Sequence, residues 1–286
     1  MEPRGPPEKL RADRVVDPWH SDIDMFKAGS CARSILFSLL TVMGSGGAVN
    51  AQTPAEAGNG PATPASQPSI NLDRPRVDLK SLPRNLFIDQ KKFWTAPFHM
   101  TQAQWEWTIP LGAMGAALIA SDTAIEQHVP THPTTVSHAN TASNAGLAAM
   151  AGVGAGMFLW GHVTHHDQER ETGILSGEAG VDAFLDTEAF AYIFRRDRPF
   201  TGNGKGRFFQ SGDSFPSQHA AISWAIASVM AHEYPGPATE LLAYGAATGV
   251  GVARWVAHQH FASDVIVGSA WLVSGPASLP FSLALQ

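Results

Sequence analysis

Residues 214–237 read SFPSQHAAISWAIASVMAHEYPGP, and this pattern indicates a helix together with its start and its end. Apolar and small residues fill 220–232 without the alternation of a strand, which predicts a helix over about 217–233. The following Tyr-Pro-Gly-Pro at 234–237 cannot continue a helix. Ser217 stands at the predicted helix start, where free backbone N–H groups and the positive end of the helix dipole favour anions.

Six further segments have the same helical character and are separated by Pro, Gly and polar clusters. We expect these helices at about 84–95, 102–126, 141–164, 169–196, 238–257 and 262–279. Of the 286 residues, 44% are hydrophobic and 15% are charged, so the chain can bury a substantial core. The predicted fold class is therefore all-α, a helical bundle of about six or seven helices.

Charge and cysteine content exclude several classes of protein. The net charge of −6 gives no basic footprint for nucleic acid. Cys31 is the only cysteine, so an intrachain disulfide framework and a cysteine-based zinc site are both excluded.

The amino-terminal residues predict export. Lys27 and Arg33 precede an apolar run at 34–43, and small residues at 49–51 form a plausible cleavage site. We expect an extension or misassigned start at 1–24, a secretory signal peptide at 25–51, a flexible Pro/Ala-rich linker at 52–82 and the folded domain at 83–286. The predicted localisation is secreted and periplasmic.

Two stretches, 142–161 and 265–285, carry no charge over about 20 residues, long enough to span a bilayer. Both are rich in small residues, which also suit the tightly packed helices of a soluble bundle. We expect a soluble core, with membrane association as the alternative.

The carboxyl-terminal third contains an inventory suited to phosphoryl transfer. His260 and Asp264 are four residues apart, so a carboxylate one helical turn away can accept the imidazole N–H and fix its tautomer. A histidine at a helix end with a neighbouring cap is the alternative interpretation. Ser217 offers a hydroxyl donor, and His219 can protonate a leaving oxygen. Arg198, at a predicted helix end, can clamp phosphate oxygens together with Arg254.

The order Arg-Pro at 198–199, Ser-Phe-Pro-Ser-x-His at 214–219 and Arg-x5-His-x3-Asp at 254–264 resembles the type 2 phosphatidic acid phosphatase superfamily. That superfamily includes bacterial class A acid phosphatases and vanadium haloperoxidases. The resemblance implies an all-helical phosphatase domain at 83–286 that requires no cofactor and no metal. It further implies that His260 is the phosphohistidine nucleophile, Asp264 its orienter and His219 the general acid, with Arg198, Ser217, Arg254 and the backbone of Gln218 binding phosphoryl oxygens.

Three positions depart from the family pattern: Ala191 replaces a lysine, Gln218 a glycine and Ala253 a serine. The lysine matters most, because a cation on the phosphoryl oxygens stabilises the transition state. We expect Ala191 to lie two turns from Arg198 on one helix face. Arg195 or Lys205 could supply the missing charge, although we expect both to be solvated.

The resulting hypothesis is hydrolysis of phosphate esters, with lipid phosphates, isoprenyl diphosphates and soluble monoesters all open as substrates. A vanadium-dependent haloperoxidase and a non-catalytic phosphate-binding protein are the alternatives. Contact with a membrane surface and the oligomeric state are also open.

Two other groups of residues allow a functional and a structural interpretation. His162, His165, His166 and Asp167 could bind a metal, but we expect a polar helix end. The aromatic residues at 93–94 and 105–107 could line a lipid-facing entrance, but we expect them in the core.

Overall fold

The computed structural model describes residues 78–201 and 204–274. The described helices are α1 (Leu82–Thr95), α2 (Gln102–Glu126), α3 (Pro133–Thr164), α4 (Asp167–Phe194), α5 (Gln218–Glu233), α6 (Pro237–Val256) and α7 (Ala262–Ser274), with a short 3-10 helix at Ala96–Phe98. These ranges contain no strand. The predicted all-α bundle is confirmed. The predicted extension, signal peptide and most of the linker lie outside the described residues.

Among the helix ends that differ from the prediction, two have a clear physical cause. α3 begins at Pro133 rather than near 141, because a proline in the first turn presets the helical φ and gives up no hydrogen bond. α4 ends at Phe194 rather than 196, because Arg195 turns to the left-handed region at φ 43°. Its N–H donates to the Ala191 carbonyl at 2.9 Å and caps the helix. Arg198 therefore lies beyond the helix, and the prediction that it shares a helix face with Ala191 is wrong.

α4 packs between α3 and α5. Alanines at 179 and 183 on α4 meet alanines at 221 and 225 on α5 in a buried cluster. On the α3 side, a Cβ added at Gly173 would lie 2.5 Å from the backbone nitrogen of Phe158. Small residues thus bring the three backbones into close contact.

α2 and α3 are both long and apolar enough to cross a bilayer. Only 6% of the most apolar stretch of α2 and 17% of that of α3 is buried. A core helix of a soluble bundle would be mostly buried, so the expectation that 142–161 fills a soluble core is wrong for most of that stretch. The other predicted stretch, 265–285, is described only as far as residue 274.

The amino-terminal aromatics divide between core and surface. Phe93 is buried, as expected, whereas Trp94 is 40% exposed and stacks on Phe190 with ring centroids 5.2 Å apart. Trp105 is also 40% exposed. The prediction that these rings fill the core is correct for Phe93 and wrong for the two tryptophans.

Candidate active site

The buried guanidinium of Arg196 connects two of the helices around the site. The side chain of Arg196 is 1% exposed and lies between two buried carboxylates, Asp122 of α2 and Asp264 of α7. Its Nη2 donates to Asp122 Oδ2 at 2.7 Å, and its Nη1 donates to Asp264 Oδ1 and, at 2.9 Å, to Ser263 Oγ. Nε donates to the Gly206 carbonyl at 3.1 Å. Each nitrogen of this guanidinium is therefore bonded within the protein.

Aromatic rings complete the surroundings of that guanidinium. The Arg196 Cζ lies 4.8 Å from the ring centroid of Phe208 and 4.4 Å from that of Phe261. Gly206 has φ +57°, and a Cβ there would lie 2.3 Å from the Phe261 ring, so glycine is required at this position. Sequence reasoning preferred Arg198 and missed Arg196, whose partner Asp122 is 74 residues away along the chain.

The Asp264 carboxylate accepts a hydrogen bond from Ser214 and not from the imidazole of His260. Its Oδ2 accepts from Ser214 Oγ at 2.6 Å and from the Phe261 N–H at 2.8 Å. His260 Nδ1 lies 2.7 Å from the Ser214 carbonyl oxygen, which can only accept. Nδ1 therefore carries the proton, and Nε2 keeps its lone pair. The predicted direct contact between Asp264 and His260 is replaced by an indirect one through Ser214.

Two buried donors at the site have no hydrogen-bond partner among the described residues. They are Nε of Arg254 and Oγ of Ser217, both predicted to bind phosphoryl oxygens. Arg254 Nη1 donates to Asn140 Oδ1 at 3.1 Å, and the Ser217 N–H donates to the Asp264 carbonyl at 2.9 Å. Buried donors are almost always paired in native proteins, so these two mark a place for an acceptor such as a phosphoryl oxygen.

Arg198 holds a carboxylate in the way predicted for phosphate. Its Nε and Nη2 form a fork on Asp213, both at 2.7 Å, and its Nη1 donates to Gln259 Oε1 at 2.6 Å. The Asp213 side chain is 64% exposed. A phosphate group must displace Asp213 to receive the same fork.

The site is electropositive. Burial, and after it the charge of Arg254, lowers the pKa of His260 to about 3. Burial and the charges of Arg254 and Arg198 lower the pKa of His219 to about 4. The pKa of Arg254 itself falls to about 10 because of burial and the neighbouring Arg198. Both imidazoles are therefore neutral at pH 7, and an anion at the site would relieve the repulsion between the cations.

Two asparagines of α3, missed by sequence reasoning, contact the predicted catalytic groups. Asn140 accepts from Arg254, and Asn144 Oδ1 lies 2.9 Å from His219 Nε2. The two amides are one helical turn apart and so share a face of α3. The one available signal was a pair of amides four residues apart in a segment without charged residues.

Two of the positions that depart from the family pattern, Gln218 and Ala191, are at the ends of helices. Gln218 opens α5 without positive φ, and its Nε2 donates to Glu188 Oε1 at 2.7 Å, so replacing glycine causes no backbone strain here. Ala191 is partly buried in the last turn of α4, while Arg195 and Lys205 are both exposed, as expected.

The histidine cluster before α4 forms a turn. His165 ends α3 with φ 60°, and His166 precedes α4 with Nδ1 3.8 Å from Glu169 Oε1. His162 stacks on Phe158 with ring centroids 5.9 Å apart. Within 78–201 and 204–274, no three histidine, cysteine or acidic side chains are placed to hold a metal ion.

Comparisons with known proteins show a similarity to one protein family over part of the chain. Residues 173–275 match the family model described as the PAP2 superfamily, and this range contains every site residue predicted from the motifs. The resemblance to the type 2 phosphatidic acid phosphatase superfamily is therefore confirmed for this region. The match supports a phosphatase activity in general terms.

A solved structure is also similar to the chain. It is described as the crystal structure of the first transmembrane PAP2 type phosphatidylglycerolphosphate phosphatase from Bacillus subtilis. The identity is 20%, the alignment covers 72% of this chain and 98% of that one, and the TM-score is 0.40. No curated protein sequence matches the chain.

The buried position of Arg196 generates a stability prediction. Arg196→Met should lower the free energy of unfolding by about 3 to 5 kcal/mol, because it leaves two buried carboxylates without their cation. Arg198→Met is the matched control. It should cost at most about 1 kcal/mol, because the partner Asp213 is mostly exposed.

Thermal and chemical unfolding without phosphate measure both variants. Adding Asp122→Asn to Arg196→Met should restore part of the loss, because one of the uncompensated charges is then removed. Equal losses for the two arginine variants would contradict the bridging role of Arg196.

Proposed function

We propose that this protein hydrolyses phosphate esters through a phosphohistidine intermediate on His260. The observation that carries the proposal is the combination of a fixed imidazole with unpaired buried donors. His260 is 3% exposed and has its Nδ1 proton held by the Ser214 carbonyl, while Arg254 Nε and Ser217 Oγ have no hydrogen-bond partner within 78–201 and 204–274. A phosphoryl group supplies the acceptors that these donors lack.

In the first step, the lone pair on His260 Nε2 attacks phosphorus, and a nitrogen–phosphorus bond forms as the ester oxygen–phosphorus bond breaks. His219 gives a proton to the leaving oxygen, and an alcohol departs. Arg254, joined by Arg198 once Asp213 is displaced, neutralises the charge on the equatorial oxygens.

In the second step, His219 takes a proton from water as the water oxygen attacks phosphorus. The nitrogen–phosphorus bond breaks, inorganic phosphate forms, and the electron pair returns to His260 Nε2. Asp264 is a positioning residue in both steps, because its contact with Ser214 holds the carbonyl that orients the imidazole.

If His260 is the nucleophile, replacing it should prevent formation of the phosphohistidine intermediate. His260→Ala should abolish turnover of a phosphomonoester in EDTA, because the other proposed site residues only bind the phosphoryl group or transfer protons. Brief exposure of the unaltered protein to labelled substrate should leave acid-labile phosphate on His260. His128→Ala, an exposed histidine whose Nδ1 lies 2.9 Å from the Ala124 carbonyl oxygen, is the control and should retain both activity and label.

Several results would separate the alternatives. Substantial turnover by purified His260→Ala would overturn the assignment of the nucleophile. Bromide oxidation with vanadate and peroxide, without phosphatase activity, would indicate a haloperoxidase. Vanadate binding without any turnover would indicate a phosphate-binding protein that has lost activity.

The lowered imidazole pKa values predict an acidic profile. His219 must be protonated to act as the acid, so kcat/KM should fall as pH rises above about 4. His260 must be neutral to attack, so the acidic limb should lie near its pKa of about 3. Bound phosphate stabilises the His219 imidazolium, and the alkaline limb of kcat should therefore lie at higher pH than that of kcat/KM.

Steady-state rates between pH 3 and 9 with a soluble monoester measure both profiles. His219→Gln should remove the alkaline limb along with most of the rate. An alkaline limb of kcat/KM at or above the ordinary histidine pKa of about 6.5 would contradict the electrostatic account of the site.

We infer that the chain associates with a membrane through α2 and α3. Large apolar side chains are exposed on both helices, among them Ile109 at 63% on α2 and Leu159, Trp160 and Val163 at 59%, 62% and 75% on α3. An exposed apolar surface of this extent is typical of an interface with lipid or another protein. Export to the periplasm as a soluble protein is the alternative.

Membrane fractionation tests this inference. The protein should sediment with membranes, resist extraction by alkaline carbonate and need detergent for solubility. Complete recovery in the soluble fraction without detergent would contradict membrane association and favour the soluble alternative.

A further inference from the structure

One histidine side chain ties the loop that carries His260 to the carboxyl end of α2. The Nδ1 of His258 contacts Glu126 Oε1, and its Nε2 lies 3.0 Å from the carbonyl oxygen of Pro130, in the turn between α2 and α3. The side chains of His258 and Glu126 are 14% and 12% exposed. We refer to the contacts of His258 with Glu126 and Pro130 as the His258 clamp. A single ring thus joins the loop before α7, the last residue of α2 and the turn before α3.

Both ring nitrogens of His258 lie against acceptors, and this fixes the number of protons that the clamp needs. The Pro130 carbonyl only accepts, so Nε2 must carry a proton. Nδ1 then bonds Glu126 only if one more proton lies between them, on the ring or on the carboxylate. Without that proton, an ionised carboxylate would face a nitrogen lone pair, and the contact would be repulsive. The clamp therefore exists in one protonation state of the pair.

Glu126 is the carboxylate that decides this state. Its second oxygen, Oε2, is buried and has no hydrogen-bond partner among the described residues. Asp122, one turn earlier on α2, is already paired with Arg196. The other titratable and charged groups on the elements around the pair are bonded elsewhere or exposed, namely Arg198 on Asp213, His260 on the Ser214 carbonyl, and the exposed His128 and His132.

The backbone at His258 needs support from its side chain. Its φ is 54°, in the left-handed region, which is unfavourable for a residue with a Cβ. The N–H groups of His258 and Gln259 donate back to the carbonyls of Trp255 and Arg254 at 2.9 and 3.1 Å, and His260 follows directly. A strained conformation persists only where neighbouring contacts hold it, and the clamp supplies two such contacts.

The clamp also reaches the helix that holds other site residues. Pro130 lies three residues before the start of α3. α3 carries Asn140, which contacts Arg254, and Asn144, which contacts His219. The ring of His258 therefore relates the loop of the nucleophile to the start of the helix that contacts the two other groups.

We propose that His258 is a positioning residue whose proton-dependent clamp on Glu126 and Pro130 holds His260 in place for attack. When the pair gives up its proton, the contact with Glu126 is lost, the left-handed turn loosens and His260 is no longer fixed. The clamp is complete at low pH and is lost as pH rises through the titration of the pair. Its effect on catalysis rests on the proposed phosphatase function, whereas the clamp itself needs no substrate.

Hydrogen exchange of residues 255–261 measures the clamp without turnover. Dividing the exchange rate of the unstructured peptide by that of the protein gives a protection factor, which removes the intrinsic effect of pH on exchange. The unaltered protein is measured from about pH 5 to 10, a range that includes the ordinary titration of histidine. Protection should fall about ten- to hundredfold as the pair loses its proton, the usual effect of losing a hydrogen bond to a charged group.

Glu126→Gln separates the contact from the proton. A glutamine amide can donate to the Nδ1 lone pair of a neutral ring or accept from a protonated ring, so the clamp forms in both states. This variant should keep its protection at alkaline pH. His258→Asn tolerates the left-handed turn but is too short to reach both partners, so its protection should be low at every pH.

The chain offers a matched control in a more exposed histidine–glutamate pair. His166 Nδ1 lies 3.8 Å from Glu169 Oε1, and the two side chains are 59% and 31% exposed. Glu169→Gln and His166→Asn make the same chemical changes away from the nucleophile. Both control variants should follow the exchange profile of the unaltered protein.

Turnover of a soluble monoester shows whether the clamp positions the nucleophile. The kcat of Glu126→Gln divided by that of the unaltered protein should be close to unity at low pH and rise severalfold toward alkaline pH, with KM little changed. This ratio removes the titration of His219, which both proteins share. A purely structural role of His258 would leave the ratio independent of pH.

The outcomes distinguish this inference from the proposed function. Identical exchange profiles for the unaltered protein and Glu126→Gln would overturn the clamp. The expected difference in exchange, together with a kcat ratio that does not change with pH, would overturn the positioning role. The same difference in a protein that neither turns over monoesters nor binds vanadate would overturn the phosphatase function and leave the proton-dependent clamp standing.

Discussion

The pairing of one buried guanidinium with two buried carboxylates is the constraint on which the site depends. Arg196 connects α2, the loop after α4 and the start of α7 through Asp122 and Asp264. Removing ions from water is costly, so the arrangement is stable only while every member keeps its partners. The same contacts fix the carboxylate that bonds Ser214, and the Ser214 carbonyl in turn orients His260. A structural ion pair thus determines which imidazole nitrogen is available for chemistry.

Around Arg254 and Arg198, the site is electropositive. Burial, and after it the charges of Arg254 and Arg198, depresses the pKa of both imidazoles, and the Nε of Arg254 has no partner among the described residues. The positive charge and the unpaired donor therefore favour the same kind of ligand, an anion with several acceptor oxygens. The absence of a lysine at Ala191 lowers the number of cations, but the remaining two still dominate the field at His219 and His260.

Local pattern was sufficient for the all-α class and for the order and approximate bounds of the helices. The Pro-Gly-Pro break after α5 depends only on neighbouring residues, and it was interpreted correctly. The direct His260–Asp264 contact was not predicted correctly, because the spacing of these two residues cannot show that Ser214, 50 residues from Asp264 along the chain, bonds this carboxylate. Arg196 could not be preferred over Arg198 either. Two arginines at one helix end look equivalent until a carboxylate from a distant helix buries one of them.

The position of α3 has a mechanical consequence. One face of this helix carries Asn140 and Asn144 at the site, while much of its remaining surface is exposed and apolar. A change in the tilt or axial rotation of α3 would shift both amides together. The side chains of Arg254 and His219, which the amides contact, would then move as well. If lipid surrounds the exposed side, changes in bilayer thickness or lateral pressure would alter the geometry of the site. The surrounding medium would then tune the enzyme without occupying its active site.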